Sequence, residues 1–190
     1  MTTPLLVVDV QNGFLNDFTA HLPDRIVTLI ESQSFEPVYY TRFVNVEGSA
    51  FRQILKWDAC AEAPETELAD QLLELADEDR IFEKSGYAGL PDGLGEHLVQ
   101  EGVTRVAVVG IDTDMCVLKV AMDLFDLSIV PEVYVDCCAS TAGLQAHLAG
   151  LAVLARNLGA QHLRDAGLGG GHLAAPGPME GEANGSSQET

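Results

Sequence analysis

Basic residues are scarce in this chain. Of 190 residues, 10 are Lys or Arg against 29 Asp or Glu, a formal net charge of −19. Such a surface repels phosphate backbones, which argues against nucleic acid as a partner. Histidine is scarcer still, with 5 in all and none between His21 and His97. Without imidazoles at ligand spacing, neither a catalytic metal nor another cofactor is expected. His147, His162 and His172 are scattered, and His147 is expected to serve packing or solvent contact.

Cysteine is also sparse. Cys60, Cys116, Cys137 and Cys138 match neither zinc-site spacing nor a Cys-x-x-Cys redox motif. Free thiols of this kind point to a reducing, cytoplasmic setting. The N-terminus lacks the basic stretch and cleavage site of a signal peptide. Asp9 breaks the first apolar run far too early for a membrane span, so no membrane partner is expected.

What is present is an ordinary globular composition, 47% hydrophobic and 21% charged, in a chain long enough for one domain with a full core. Short apolar runs at 5–8, 37–40, 80–83, 105–109 and 129–135 read as strands buried on both faces. Helical patterns fall between them at 21–32, 65–76, 94–101, 114–126 and 141–158. The pattern at 65–76 puts Leu68, Leu72, Leu73 and Leu75 on one face. Alternating strands and helices predict an α/β fold, three layers (α/β/α) around a mainly parallel sheet. The predicted domain spans 1–166. From 167 to 190 the Gly/Ser/Glu-rich composition has no hydrophobic period and reads as a flexible tail.

Ligands of such sheets gather beyond the carboxyl ends of the strands. Asp9 ends the first run, Lys84 follows the third, and Cys116 begins the helix after the fourth, so all three belong on one rim. Most cysteines are small core hydrophobes. A thiol in the first turn of a helix is different, because the positive helix end favours the thiolate. Asp9 could cap a turn, or act as general base toward the thiol. Lysine is usually a solvated surface group, but Lys84 is one of three in the chain and follows an apolar strand. Its charge would allow an ionised Asp9 there.

Three motifs carry a resemblance: Leu-Leu-Val-Val-Asp-Val-Gln-Asn-Gly-Phe (5–14), Lys-Ser-Gly-Tyr (84–87) and Gly-Ile-Asp-Thr-Asp-Met-Cys-Val (110–117). In this order, with Asp-Cys-Cys-Ala-Ser (136–140) following, the chain resembles the isochorismatase-like cysteine hydrolases over about residues 4–164. That family includes nicotinamidases and N-carbamoylsarcosine amidohydrolases. The resemblance implies an Asp9–Lys84–Cys116 triad and a cis peptide between Ile111 and Asp112. It also implies an oxyanion hole from the Cys116 N–H with that of Asp112 or Thr113. The reaction implied is C–N hydrolysis of a small amide, carbamoyl or ureido substrate through a thioester on Cys116. A homo-oligomer is implied too. Cleavage of an isochorismate-type vinyl ether, which needs no thiol, and a non-catalytic binding or assembly role of the same fold are the alternatives.

One departure matters. Nicotinamidases of this family hold a metal through an Asp-x-His pair and a further His after the second strand. Here that stretch reads Tyr-Tyr-Thr-Arg-Phe-Val-Asn-Val-Glu-Gly (39–48). Phe14, Trp57 and Tyr87 are candidate pocket walls. Arg42 and Arg52 could each pair with a substrate carboxylate or lie on the surface. The segment 42–64 is the expected specificity element.

Overall fold

The computed structural model describes residues 2–168. Beyond Leu168, the segment expected to be a flexible tail, with His172, lies outside the described residues.

Six strands form one parallel sheet: β1 (Thr3–Val8), β2 (Phe35–Phe43), β3 (Ile81–Lys84), β4 (Arg105–Ile111), β5 (Val130–Ala139) and β6 (Leu163–Arg164). Their order is β3-β2-β1-β4-β5-β6. The apolar runs are continuous because both faces are covered. In β1, Leu6 and Val8 face one core and Leu5 and Val7 the other; β4 divides Val106 and Val108 from Ala107 and Val109 in the same way. This is the two-residue period of a strand.

On one face pack α1 (Leu22–Ser32) and α3 (Asp70–Leu73), through Ile26, Leu29 and Leu72. On the other pack α4 (Leu94–Gln100), α5 (Leu118–Asp126) and α6 (Leu144–Leu158), through Leu98, Leu124 and Leu154. The chain winds outward from β1 through β2 to β3, then returns to place β4 on the other side of β1. That reversal opens a crevice between the carboxyl ends of β1 and β4.

Several expectations change. Lys84 is the last residue of β3 rather than the residue after it. The helix expected over 65–76 shrinks to α3, with Leu73 and Leu75 exposed. Its first half bonds instead to the loop after β1: the N–H groups of Asn12, Gly13 and Ala69 reach Glu67, Glu65 and Val10 carbonyls. A short helix, α2 (Ala50–Gln53), lies in the 42–64 region, capped by Ser49. β6 was not foreseen, since two residues carry no period. The helix expected from 114 begins as a π-helical turn, Thr113–Val117, before α5.

Two glycines let the crevice form. A Cβ on Gly110 would sit 2.1 Å from the Val8 carbonyl oxygen, and its φ of +129° is one that side chains disfavour. Gly150 of α6 lies against the π turn, where a Cβ would come within 2.7 Å of the Asp114 nitrogen. Gly150→Ala should therefore destabilise the fold by about 1–3 kcal/mol, despite alanine's better helix propensity. Thermal or urea unfolding measures this.

Candidate active site

Asp9 is the first residue past β1 and is fully buried. Its φ of +51° is left-handed, a conformation aspartate tolerates better than most residues. Thr41 of β2 secures it at both ends. Thr41 Oγ1 accepts the Asp9 backbone N–H at 3.1 Å and donates to Asp9 Oδ1 at 2.6 Å. The other oxygen, Oδ2, lies 2.7 Å from Lys84 Nζ and takes no aligned hydrogen bond. Both side chains of this pair are shielded from water, at 0% and 1% exposure. Lys84 Nζ also donates to the Ala88 carbonyl at 3.1 Å.

Cys116 sits in the π turn, half-buried, and its thiol interacts with both Asp9 and Lys84. The three side chains therefore meet. The helix end does not make Cys116 a ready thiolate, however. Burial pushes the thiol above its ordinary value, the Asp9 charge adds to that, and Lys84 opposes without prevailing. Burial draws Lys84 down, but the Asp9 charge and the contacts with Asp9 and Cys116 outweigh it, so its ammonium is held above the ordinary range. The result is a neutral thiol beside an ion pair, one carboxylate oxygen of which is available as a proton acceptor.

The loop joining β4 to the π turn passes over this group. The Ile111–Asp112 peptide is cis. The turn's opening hydrogen bonds run from the Met115 and Val117 N–H groups to the Asp112 carbonyl, with the Cys116 N–H between them. Asp112 is anchored by Thr141, whose N–H and Oγ1 donate to its two carboxylate oxygens at 2.5 and 2.9 Å. Thr113 Oγ1 meets His147 Nδ1 of α6 at 2.7 Å. His147 is thus packed in the interior rather than solvent-facing, and it also bonds this loop. Burial holds it below its ordinary value, with Asp114 opposing and His21 reinforcing.

A cavity of about 350 Å³ opens above Cys116. Phe14, Trp57 and Tyr87 line it, together with Phe43, Phe51 and Met115. Phe14 and Trp57 stack at 6.3 Å, and Phe51 meets Trp57 at 5.5 Å and Tyr87 at 4.8 Å. The loop carrying Trp57 is pinned by Asn45, whose amide donates to the Trp57 and Ala59 carbonyls at 2.9 Å. Gln11 ties the exits of β1 and β2 by bonding both the N–H and the carbonyl of Phe43. Neither Arg42 nor Arg52 lines the cavity. Arg42 pairs with Glu83 at 2.5 Å, and Arg52 donates to the Asn45 carbonyl at 2.9 Å.

The donor set after β2 does not fit a metal. Asn45 spends its amide nitrogen on two carbonyls and its oxygen on the Ser49 hydroxyl. Among the described residues no group of three or more His, Cys, Asp or Glu is disposed to hold a metal ion. No helix among them is long and apolar enough to cross a membrane.

Thr41, Phe43, Phe51, Thr141 and His147 were missed as site residues. Thr41 had a readable signal, a hydroxyl directly after the apolar run at 37–40. The others join only through tertiary packing.

Fold and site together define an α/β protein with a cysteine, a carboxylate and an ammonium gathered at the switch point of a parallel sheet. The chain belongs to the isochorismatase family: the family model described as "Isochorismatase domain" matches residues 3–164. Comparison with curated proteins finds no match. Among solved structures, it is similar to an isochorismatase-like hydrolase from Alkaliphilus metalliredigens (TM-score 0.70, 19% identity, covering 82% of this chain and 92% of that one). An N-carbamoylsarcosine amidase from Thermoplasma acidophilum is similar too (0.68, 21%, 84% and 94%). So is a nicotinamidase/pyrazinamidase from Bacillus subtilis (0.67, 19%, 84% and 97%). At such identities the likeness shows the shared fold.

Removing the lysine leaves Asp9 as an unpaired buried charge. Lys84→Met should cost roughly 3–5 kcal/mol. Because the folded-state value of Lys84 is raised, the pair's contribution is full below the ordinary lysine value of 10.5 and is lost as pH climbs through the raised one. Melting temperatures of the two proteins should therefore differ widely at neutral pH and converge above about pH 10.5.

Proposed function

We propose that the chain is a cysteine hydrolase that cleaves the C–N bond of a small amide, carbamoyl or ureido compound. The observation that carries this reading is the thiol of Cys116 between Asp9 and Lys84 at the floor of an aromatic cavity. A buried acid, base and thiol in contact serve acyl transfer better than they serve stability, since a buried ion pair is seldom a net gain over apolar packing.

Substrate enters with its carbonyl carbon toward Cys116 Sγ. As sulfur attacks, Asp9 Oδ2 takes the thiol proton, so no free thiolate needs to accumulate. The carbonyl oxygen becomes an oxyanion. The Cys116 N–H, with that of Asp112 or Thr113, stabilises it, aided by the positive end of the helical segment. The tetrahedral intermediate collapses, the C–N bond breaks, and Asp9 returns its proton to the departing ammonia or amine. Asp9 then deprotonates a water that attacks the thioester. The acid leaves and sulfur recovers its proton from Asp9. Lys84 remains charged throughout and keeps Asp9 in its acceptor form between steps.

The vinyl ether alternative gains no support here, because it leaves the Cys116 contacts without a role. Cys116→Ala should reduce ammonia release from a responsive amide by about a thousandfold or more. Rapid-quench intact mass spectrometry of the unmodified protein should show an acyl adduct on the Cys116 peptide that hydroxylamine removes. Undiminished turnover in Cys116→Ala would end the covalent route.

A further inference from the structure

The cavity's chemistry is one-sided. Five aromatic side chains line it: Phe14, Phe43, Phe51, Trp57 and Tyr87. Of its lining residues, Asp112 is the one that carries a formal charge. No arginine or lysine joins it: Arg42 and Arg52 are engaged elsewhere, and Lys84 is sealed beneath, paired with Asp9. Among the described residues Asp112 forms no ion pair; its acceptors are filled by the Thr141 N–H and hydroxyl. Those two neutral donors fix the carboxylate without neutralising it.

We propose that the substrate carries a cationic group, an alkylammonium or similar, beside its scissile amide or carbamoyl carbon, and that Asp112 is the residue that selects it. This rests on the amidohydrolase reading and narrows it to a substrate class. Aromatic faces attract a desolvated cation through their quadrupoles. A carboxylate nearby adds a Coulombic term that is strong in a water-poor cavity. The same two features reject a carboxylate-bearing substrate, which would meet Asp112 with like charge and find no guanidinium to receive it. Asp112 also stands directly before Thr113 in the loop over Cys116, so a cation held there lies next to the reacting carbonyl. Burial favours the protonated form of the Asp112 carboxyl, against the Thr141 hydrogen bonds; a bound cation supplies the missing countercharge.

The test uses Cys116 as the reporter and requires no turnover. The whole protein is treated with 2-(trimethylammonio)ethyl methanethiosulfonate or 2-sulfonatoethyl methanethiosulfonate, reagents of similar size and opposite charge. Each forms a mixed disulfide and releases methanesulfinate. Rates at the Cys116 peptide are read by mass spectrometry and divided by the rates for a free small thiol. Salt of about 0.5 M screens the long-range field of the acidic surface. The expected normalised preference for the cationic reagent is at least about tenfold, falling about threefold or more in Asp112→Asn. Asparagine can still accept the Thr141 N–H and donate to its hydroxyl. A ratio near one, a preference for the anion, no reaction with the cation, or a ratio unchanged in folded Asp112→Asn overturns the proposal. The unmodified protein's ratio stands as a test even if Asp112→Asn does not fold. Loss of the thioester mechanism would leave this charge preference intact, so the two readings fail separately.

Discussion

The contact between Lys84 and Asp9 is the constraint around which the rest of the site is arranged. Two opposite charges at 2.7 Å, both removed from water, are costly to bury and costlier to separate. Their burial also decides what the thiol does. In the low-polarity crevice a thiolate beside Asp9 is disfavoured, so burial holds the Cys116 thiol in its protonated form, in contact with Asp9 and Lys84. In the proposed mechanism, nucleophile activation therefore belongs to the moment of attack rather than to the resting state.

The fold serves that contact. β1 and β3 lie on either side of β2, which brings Asp9 and Lys84 to the same rim. Thr41 of the intervening strand fixes Asp9 at its backbone and its carboxylate. Gly110 lets β4 approach β1 closely, and Gly150 lets α6 press against the π turn. Together they set where Cys116 can stand. Two buried amides hold the aromatic roof in place: Gln11 bonds backbone groups, and Asn45 bonds two backbone carbonyls and the Ser49 hydroxyl. The polar residues of this core are thus spent on position, and the apolar ones on excluding water.

Much of this was legible in the chain. Asp9, Lys84 and Cys116 stand at the ends of apolar runs, and in a parallel sheet such ends share a rim. The central strands were readable because burial on both faces leaves uninterrupted Val, Leu and Ile. The segment 65–76 misled because its leucines have a helical spacing while its first half is drawn into backbone pairing with residues 10–13, which no local pattern records. The π turn was invisible for a related reason, since one extra residue in a turn leaves the composition unchanged. Phe43 and Phe51, which no motif singled out, are both core and cavity wall. His147 carried no motif at all. Its meeting with Thr113 spans 34 residues and depends on the close approach that Gly150 allows.

The central claim is that Asp9 acts on Cys116 as a base while raising the thiol's proton affinity. Paired measurements on Asp9→Asn separate these effects: the rate of Cys116 alkylation by iodoacetamide at neutral pH, and the rate of amide hydrolysis. Removing the carboxylate leaves Lys84 as the thiol's charged neighbour, which favours the thiolate. The account predicts faster alkylation than in the unmodified protein together with loss of hydrolysis. Slower alkylation, or hydrolysis that survives the substitution, would contradict it.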